Sequence, residues 1–258
     1  MLLAVGWLWV HTISGAAATA ESQHFAANPG ERKHIQLQDG SVVRLNGGSQ
    51  LVIPPGYGKE HRRLELAGEA FFEVQHNTDL PFIVKTELMA VKAVGTSFNV
   101  KAYPNSGIDE ETTLISGKVL VALKNKADTF QLLPNQKIKV SRTSDALLQK
   151  NIAAVKPADT SAMVSIQPIK QNQDGDVKEI AWMDDKLIFT DESFEEIVVS
   201  LERWFGVTIS FEDELPRNYR FTGSFQRLGL QDILEILQET RSFNYQIEEN
   251  GKKVTIQK

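Results

Sequence analysis

Between His34 and about Val140 the apolar residues recur at every second position, and the 3.6-residue period of a helix is absent. Ile35 and Leu37, Val43 and Leu45, then Leu51 and Ile53 alternate with polar neighbours. Asp39-Gly40 and Asn46-Gly47-Gly48 fall between these runs. Successive side chains of a strand point to opposite faces, so this alternation belongs to strands buried on one side. The Gly-containing dipeptides supply the positive φ that tight turns need. Further runs follow at Arg63–Leu66, Ala70–Val74, Phe82–Thr86, Met89–Val94, Ser97–Tyr103, Thr112–Ile115, Lys118–Leu123 and Gln136–Val140, punctuated by Gly68, Gly95 and Gly117. Strands repeating every 8–12 residues or so, with turn signals between them, define an all-β unit: a sandwich, a barrel or a short solenoid. Spacing does not choose among the three.

The period changes in the last third. Leu187–Phe189 reads as a short strand, and Ser193-Phe194-Glu195-Glu196 fits a capping box. Phe194, Ile197, Val198, Leu201 and Phe205 then follow at helical spacing, with Gly206 as the stop. Val207, Ile209 and Phe211 alternate as a strand. A shift of 36 residues repeats the pattern: Leu230, Ile233, Leu234 and Leu237 on a helix, then Phe243, Tyr245 and Ile247 on a strand, with Phe225 matching Phe189. A last strand, Val254–Ile256, follows the Asn250-Gly251 turn. One βαβ-like unit is therefore duplicated. Neither copy can cover its own apolar face, so the two are expected to share one small sheet with two helices packed on it.

Met1–Ala20 carries no charged residue and, as a helix, reaches about 30 Å, enough to cross a hydrocarbon core. It reads as a transmembrane or signal-anchor segment; Ala18-Thr19-Ala20 also fits a small-residue cleavage pattern. Ser141 to about Ile180 has weak periodicity, two prolines and a polar run from Gln171, and reads as a connector with a short helix near Ala146–Ala154. The expected organisation is an anchor at 1–20, an all-β domain at 21–145, a linker at 146–180 and an α+β domain at 181–258.

Chemistry is constrained mainly by what is missing. Without cysteine there are no disulfides, Cys zinc sites, iron–sulfur clusters or thiol nucleophiles. The five histidines show no metal-binding spacing, and neither a GxSxG nor a phosphate-loop motif occurs. The expectation is a protein without cofactor, metal or catalytic residues. Lys plus Arg total 28 against 33 Asp plus Glu, which argues against a nucleic-acid partner. From residue 181 onward the count is 9 against 15, so the C-terminal unit is the acidic one. Two rival readings are an envelope glycan-binding β protein, with Tyr57 and Tyr103 as its platform, and a hydrolase built on Asp184, Asp185 or Glu69. Trp182, Trp204, Tyr219 and Phe221 read as core.

Three strings in order resemble the FecR family of regulators. Gln38-Asp39-Gly40-Ser41-Val42-Val43-Arg44-Leu45-Asn46 is similar to its opening. Leu64-Glu65-Leu66-Ala67-Gly68-Glu69-Ala70-Phe71-Phe72-Glu73-Val74 is similar to its central segment. Pro81-Phe82-Ile83-Val84 with Val94-Gly95-Thr96-Ser97-Phe98-Asn99-Val100 is similar to its core. Leu133-Pro134-Asn135-Gln136 departs from the Gly-containing ending of many relatives, and Asn tolerates the same positive φ. From Trp182 to Lys258 the chain resembles the C-terminal domain that accompanies FecR, akin to the short N-terminal domain of secretins and TonB-dependent receptors.

The resemblance implies a single-pass inner-membrane anti-sigma regulator with its bulk in the periplasm. Its implied partners are the signalling domain of a TonB-dependent outer-membrane receptor and an extracytoplasmic-function sigma factor. The family's sigma-binding arm is cytoplasmic and precedes the apolar segment; the sequence opens directly on that segment, and a truncated start is the expectation. Asp39, Gly40, Asn46, Gly68 and Gly95 read as turn or bulge residues, and Leu45, Phe72, Val74, Phe82 and Phe98 as core; Glu69, Pro81 and Thr96 complete the motif set. For the partner surface the expectation is the strand edges of the C-terminal repeat. These are Val207, Thr208, Ile209 and Phe211; Arg220, Phe221 and Phe225; and Val254, Thr255 and Ile256.

Overall fold

The computed structural model describes residues 21–104, 109–124, 127–141, 163–172, 174–248 and 250–258. The expected anchor at 1–20 and the short helix at Ala146–Ala154 lie outside the described residues. Among the described residues no helix is long and apolar enough to cross a membrane.

The alternating region folds into strands β1 (Gln23–Ala27), β2 (Lys33–Gln36), β3 (Val42–Leu45), β4 (Ser49–Ile53), β5 (Arg62–Glu73), β6 (Phe82–Lys85), β7 (Met89–Ala93), β8 (Ser97–Ala102), β9 (Glu110–Ser116), β10 (Val119–Leu123), β11 (Thr129–Leu132), β12 (Gln136–Ser141) and β13 (Met163–Pro168). They form two layers that share β5. Layer A runs β1-β4-β5-β6-β7-β10-β11, and layer B runs β2-β3-β5-β8-β9-β12-β13. The two layers contribute to one apolar cluster, where Phe72 of layer B meets Phe82 of layer A edge-on at 5.8 Å and stacks on Phe98 at 5.1 Å. Of the three architectures left open, the chain adopts the sandwich.

The long strand β5 makes this possible. Its first half pairs with β4 and β6 in layer A, and its second half with β3 and β8 in layer B. The crossover is at Gly68, whose φ is +125°. A Cβ there would lie 2.3 Å from the Ser49 hydroxyl oxygen and 2.6 Å from the Ser49 Cα, so both conformation and space demand glycine. The Ser49 hydroxyl instead accepts the Glu69 N–H at 2.8 Å.

The DG turn is anchored by a buried cation. Arg62, 1% exposed, donates to Asp39 at 2.9 Å and to the carbonyls of Leu80, Gln75 and Asn77, which fixes the loop leading to Pro81. Burial alone would raise the Asp39 carboxyl, yet hydrogen bonds from Arg62 and Ser41 hold it below the ordinary carboxylate value.

The connector expected at 146–180 is partly sheet. Met163–Pro168 pairs antiparallel with β12 and extends layer B, because Val164 and Ile166 supply a short alternation that the prolines around it obscure.

The duplicated unit comprises β14 (Lys186–Ser193), α1 (Phe194–Phe205) and β15 (Thr208–Phe211), followed by the short helix α2 (Glu214–Arg217), then β16 (Arg220–Gln226), α3 (Leu230–Thr240) and β17 (Asn244–Ile247), and finally β18 (Lys253–Gln257). The capping box at Ser193 and Glu196 is formed, and Gly206 ends α1 in the left-handed region. The two copies do not build one sheet. Their first strands, β14 and β16, pair with each other, whereas their last strands, β15 and β17, flank β18. Phe189 and Phe225, equivalent by the repeat, pack at 5.7 Å, and Phe194 gathers Phe211, Phe221 and Phe243 within 5.4 Å.

Two outcomes are expected. Gly68→Ala should cost about 3 kcal/mol, from left-handed strain plus overpacking, read as a lower urea midpoint at unchanged slope. Because the Asp39 pKa is depressed on folding, its stabilisation is present above the unfolded value of about 4 and lost as pH falls through the folded one. Asp39→Asn should flatten the acid limb of a pH–stability curve; an unaltered acid limb would exclude this source.

Candidate functional site

Strand pairing places outward-facing residues of layer B in cross-strand rows. One row runs Arg44, Phe71, Asn99, Thr113 and Lys137 across β3, β5, β8, β9 and β12. The neighbouring row places Glu69, Lys101, Glu111 and Lys139 side by side, alternating in charge. Residues on the outside of a sandwich normally face water. Here Phe71 is 5% exposed, Asn99 2% and Thr113 1%.

They are covered by the segment that opens the C-terminal unit. Glu179 binds Lys137 at 2.5 Å at one end of the row, and the Met183 sulfur meets the Arg44 guanidinium at 3.5 Å at the other. Between them a single 3-10 turn, Ala181–Asp184, buries Ala181 and Trp182. Lys137 is shared with Glu111 at 3.2 Å. Burial works against its ammonium, but the two carboxylates hold its pKa above the ordinary lysine value.

A second contact fixes the end of α1. The Gly30 N–H donates to the Arg203 carbonyl at 2.8 Å, so a loop of the sandwich caps this helix. A Cβ on Gly206 would lie 2.6 Å from the Pro29 carbonyl oxygen, so this glycine serves both the helix stop and the approach of the two backbones. The Arg203 guanidinium lies 3.7 Å over the Tyr103 ring, whose hydroxyl donates to the Gly47 carbonyl at 2.8 Å. Burial lowers the Arg203 pKa, opposed by Tyr103, Glu69 and Glu202. Arg32 pairs with Asp185 and covers the Trp204 ring at 3.9 Å.

Between the two contacts opens a cleft of about 350 Å³ lined by charges of both signs, including Lys101, Glu111, Lys137, Glu179 and Arg203. Several of its carboxylates are matched with cations: Glu111 and Glu179 with Lys137, Asp109 with Lys139, Glu192 with Lys178, Asp191 with Arg220; Glu196 accepts from Ser193 in the capping box of α1. Glu69, in the same lining, accepts from Asn46 at 2.9 Å and Asn99 at 3.0 Å. The motif residues Asn46 and Glu69 thus support the floor on which Arg203 rests. Asp184 and Asp185 lie apart at the 3-10 turn, with Asp185 pairing Arg32. Tyr57 and Tyr103 are each 6% exposed, so neither forms the sugar platform that a glycan-binding protein would need.

The expected strand edges are only partly edges. β18 is the middle strand of its sheet, flanked by β15 and β17, and the Val254 and Ile256 side chains are fully buried. The turn at Asn250-Gly251 folds β18 back onto β17, while the chain order leaves β15 parallel on its other side. Val254–Ile256 is therefore not available as an edge. Thr208–Phe211 is one, but Ile209 is buried and its outward N–H is already taken by the Glu202 carboxylate at 2.8 Å; Val207 packs against the core. In β16, Phe221 and Phe225 are core, and Arg220 is engaged by Asp191 across a bulge in β14. The less protected edge is β17, whose Asn244 and Gln246 are exposed.

The remaining motif residues sit at turns or in the core. Gly40 and Gly95 have φ of +81° and +76°. Leu45, Phe72, Phe82 and Phe98 are fully buried, and Val74 and Thr96 nearly so.

Comparison with known proteins agrees with this architecture. The model of the FecR protein family matches residues 23–120, and the model of the FecR C-terminal domain matches residues 186–256. Two crystal structures of a protein from Parabacteroides distasonis ATCC 8503, described as a proposed anti-sigma factor, are 27% identical to the chain. Each superposes with a TM-score of 0.74 over 92% of this chain and 99% of theirs. No curated protein matches by sequence. The chain belongs to the FecR family of regulators.

Removing the shape match at α1 should loosen the joint. Gly206→Ala is expected to cost about 2 kcal/mol, from left-handed strain and the collision with Pro29. The loss should appear as faster proteolysis near residues 28–32 and as altered fluorescence of the adjacent Trp204.

Proposed function

We propose that this FecR-family regulator is an anti-sigma protein that relays the state of a TonB-dependent outer-membrane receptor to an extracytoplasmic-function sigma factor. In this reading the described residues lie in the periplasm, the apolar segment at 1–20 anchors the chain in the inner membrane, and the relay works by protein contacts alone. The supporting observation is the C-terminal unit: an acidic α/β module seated on the sandwich and presenting strand β17 with one side unpaired among the described residues. An unpaired strand side offers alternate N–H and C=O groups to an incoming strand, and its flanking side chains supply selectivity. In the antiparallel pairing with β18, Gln246 faces Thr255 and Tyr245 faces Ile256. Glu248 N–H donates to the Lys253 carbonyl, so by alternation the amides of Tyr245 and Ile247 point away from β18.

The test is binding of the full chain, in detergent or nanodiscs, to the purified signalling domain of its receptor. Ile247→Pro removes an outward amide without removing a rung to β18, and should weaken binding at least tenfold while leaving the fold intact by circular dichroism. Affinity unchanged by Ile247→Pro would rule out β17 as the docking edge. A sigma-dependent reporter that ignores deletion of the chain would reject the anti-sigma role itself.

A further inference from the structure

Four buried polar atoms at the joint have no hydrogen-bond partner: Asn99 Oδ1, Thr113 Oγ1, Glu179 Oε2 and Trp182 Nε1. They are not scattered. Asn99 and Thr113 are cross-strand neighbours, Thr113 adjoins Lys137 in the same row, Lys137 holds Glu179, and Trp182 lies three residues further along the covering segment. Among the described residues Tyr57 and Thr96 also bury a hydroxyl, and Arg217 an Nε, with no hydrogen-bond partner, but at the joint four such atoms fall in one cross-strand row and the segment that covers it. An unsatisfied buried donor or acceptor carries its whole desolvation penalty, and charged groups carry more. When the covering segment lifts, all four atoms regain solvent together, so opening recovers free energy at the place where the two units meet.

We infer that the joint between sandwich and C-terminal unit is a releasable clasp. The Glu179–Lys137 pair and the Arg203–Tyr103 stack hold it shut, and the stranded polar row keeps the shut state only modestly favoured. A lifted minority form exposes the outer face of layer B, and the receptor signalling domain proposed above selects that form to the extent that it also contacts this face, shifting the population by its differential affinity. This use of the clasp rests on the docking role proposed above; the existence of the clasp does not, and it is testable on the chain alone.

The test is hydrogen–deuterium exchange of the full chain without any partner. The peptides covering 28–32 and 179–183 should exchange together, faster than the β5–β8 ladder, which reports global unfolding. Thr113→Val removes one stranded hydroxyl at constant shape and should slow that shared opening by about tenfold. Lys137→Met leaves Glu179 and Glu111 without their cation and should speed it by at least as much. Joint peptides as protected as the β5–β8 ladder in the wild-type chain would overturn the clasp. So would a Thr113→Val variant whose joint exchange is unchanged or faster, since the hydroxyl would then already be satisfied. If Thr113→Val does not fold, Lys137→Met decides alone, and unchanged exchange in that variant overturns the proposal.

Discussion

The structure depends on β5 belonging to two sheets at once. A strand that passes from one layer to the other must bend while keeping the same set of side chains inward, and Gly68 is where that happens. On the layer A side β5 contributes Leu64 and Leu66 to the core; beyond Gly68 it contributes Ala70 and Phe72. The same step puts Glu69 and Phe71 on the outside of layer B, in the two rows that receive the C-terminal unit. Core closure and the floor that receives the C-terminal unit both follow from one backbone conformation. The GEA string that marks the family is thus the geometry of a crossing, with its acid held by Asn46 and Asn99 instead of by a partner.

Hydrophobic burial and polar matching divide the work between the units and their joint. Each unit closes its own apolar cluster, with the sandwich around Phe72 and the α/β module around Phe194. The joint is made differently, from a shared lysine, a guanidinium on a tyrosine, a second guanidinium on Trp204 and a helix end capped by a loop amide. Such contacts fix orientation strongly while adding modest net free energy, because the charged groups give up hydration to make them. An assembly held in this way keeps its two bodies in register without fusing their cores.

Much of this was legible in the residues. The period-two pattern announces the strands, Ser193 and Glu196 announce the start of α1, and the 36-residue echo pairs Phe189 with Phe225 before their rings are seen to touch. What stayed hidden depends on tertiary placement. Alternation marks Asn99 and Thr113 as outward and therefore wet, because one sequence does not reveal that another segment lies over them. Trp182 reads as ordinary core for the same reason. The position of β18 was equally opaque: a strand late in the chain suggests a free margin, and only the pairing of β15 and β17 to its two sides puts it in the middle. Met163–Pro168 was concealed by its surroundings, since a six-residue strand among prolines and polar residues carries too little pattern to stand out.

The placement of β18 bears on how the molecule is made. During synthesis the sandwich strands through β12 emerge early and find neighbours close in sequence or already present. β15, by contrast, has no sheet partner until β18 has been translated, some forty residues later. The sheet of the α/β module therefore cannot close before β18 is made, and a ribosome that stalls short of it would leave β15 and β17 without the strand that joins them.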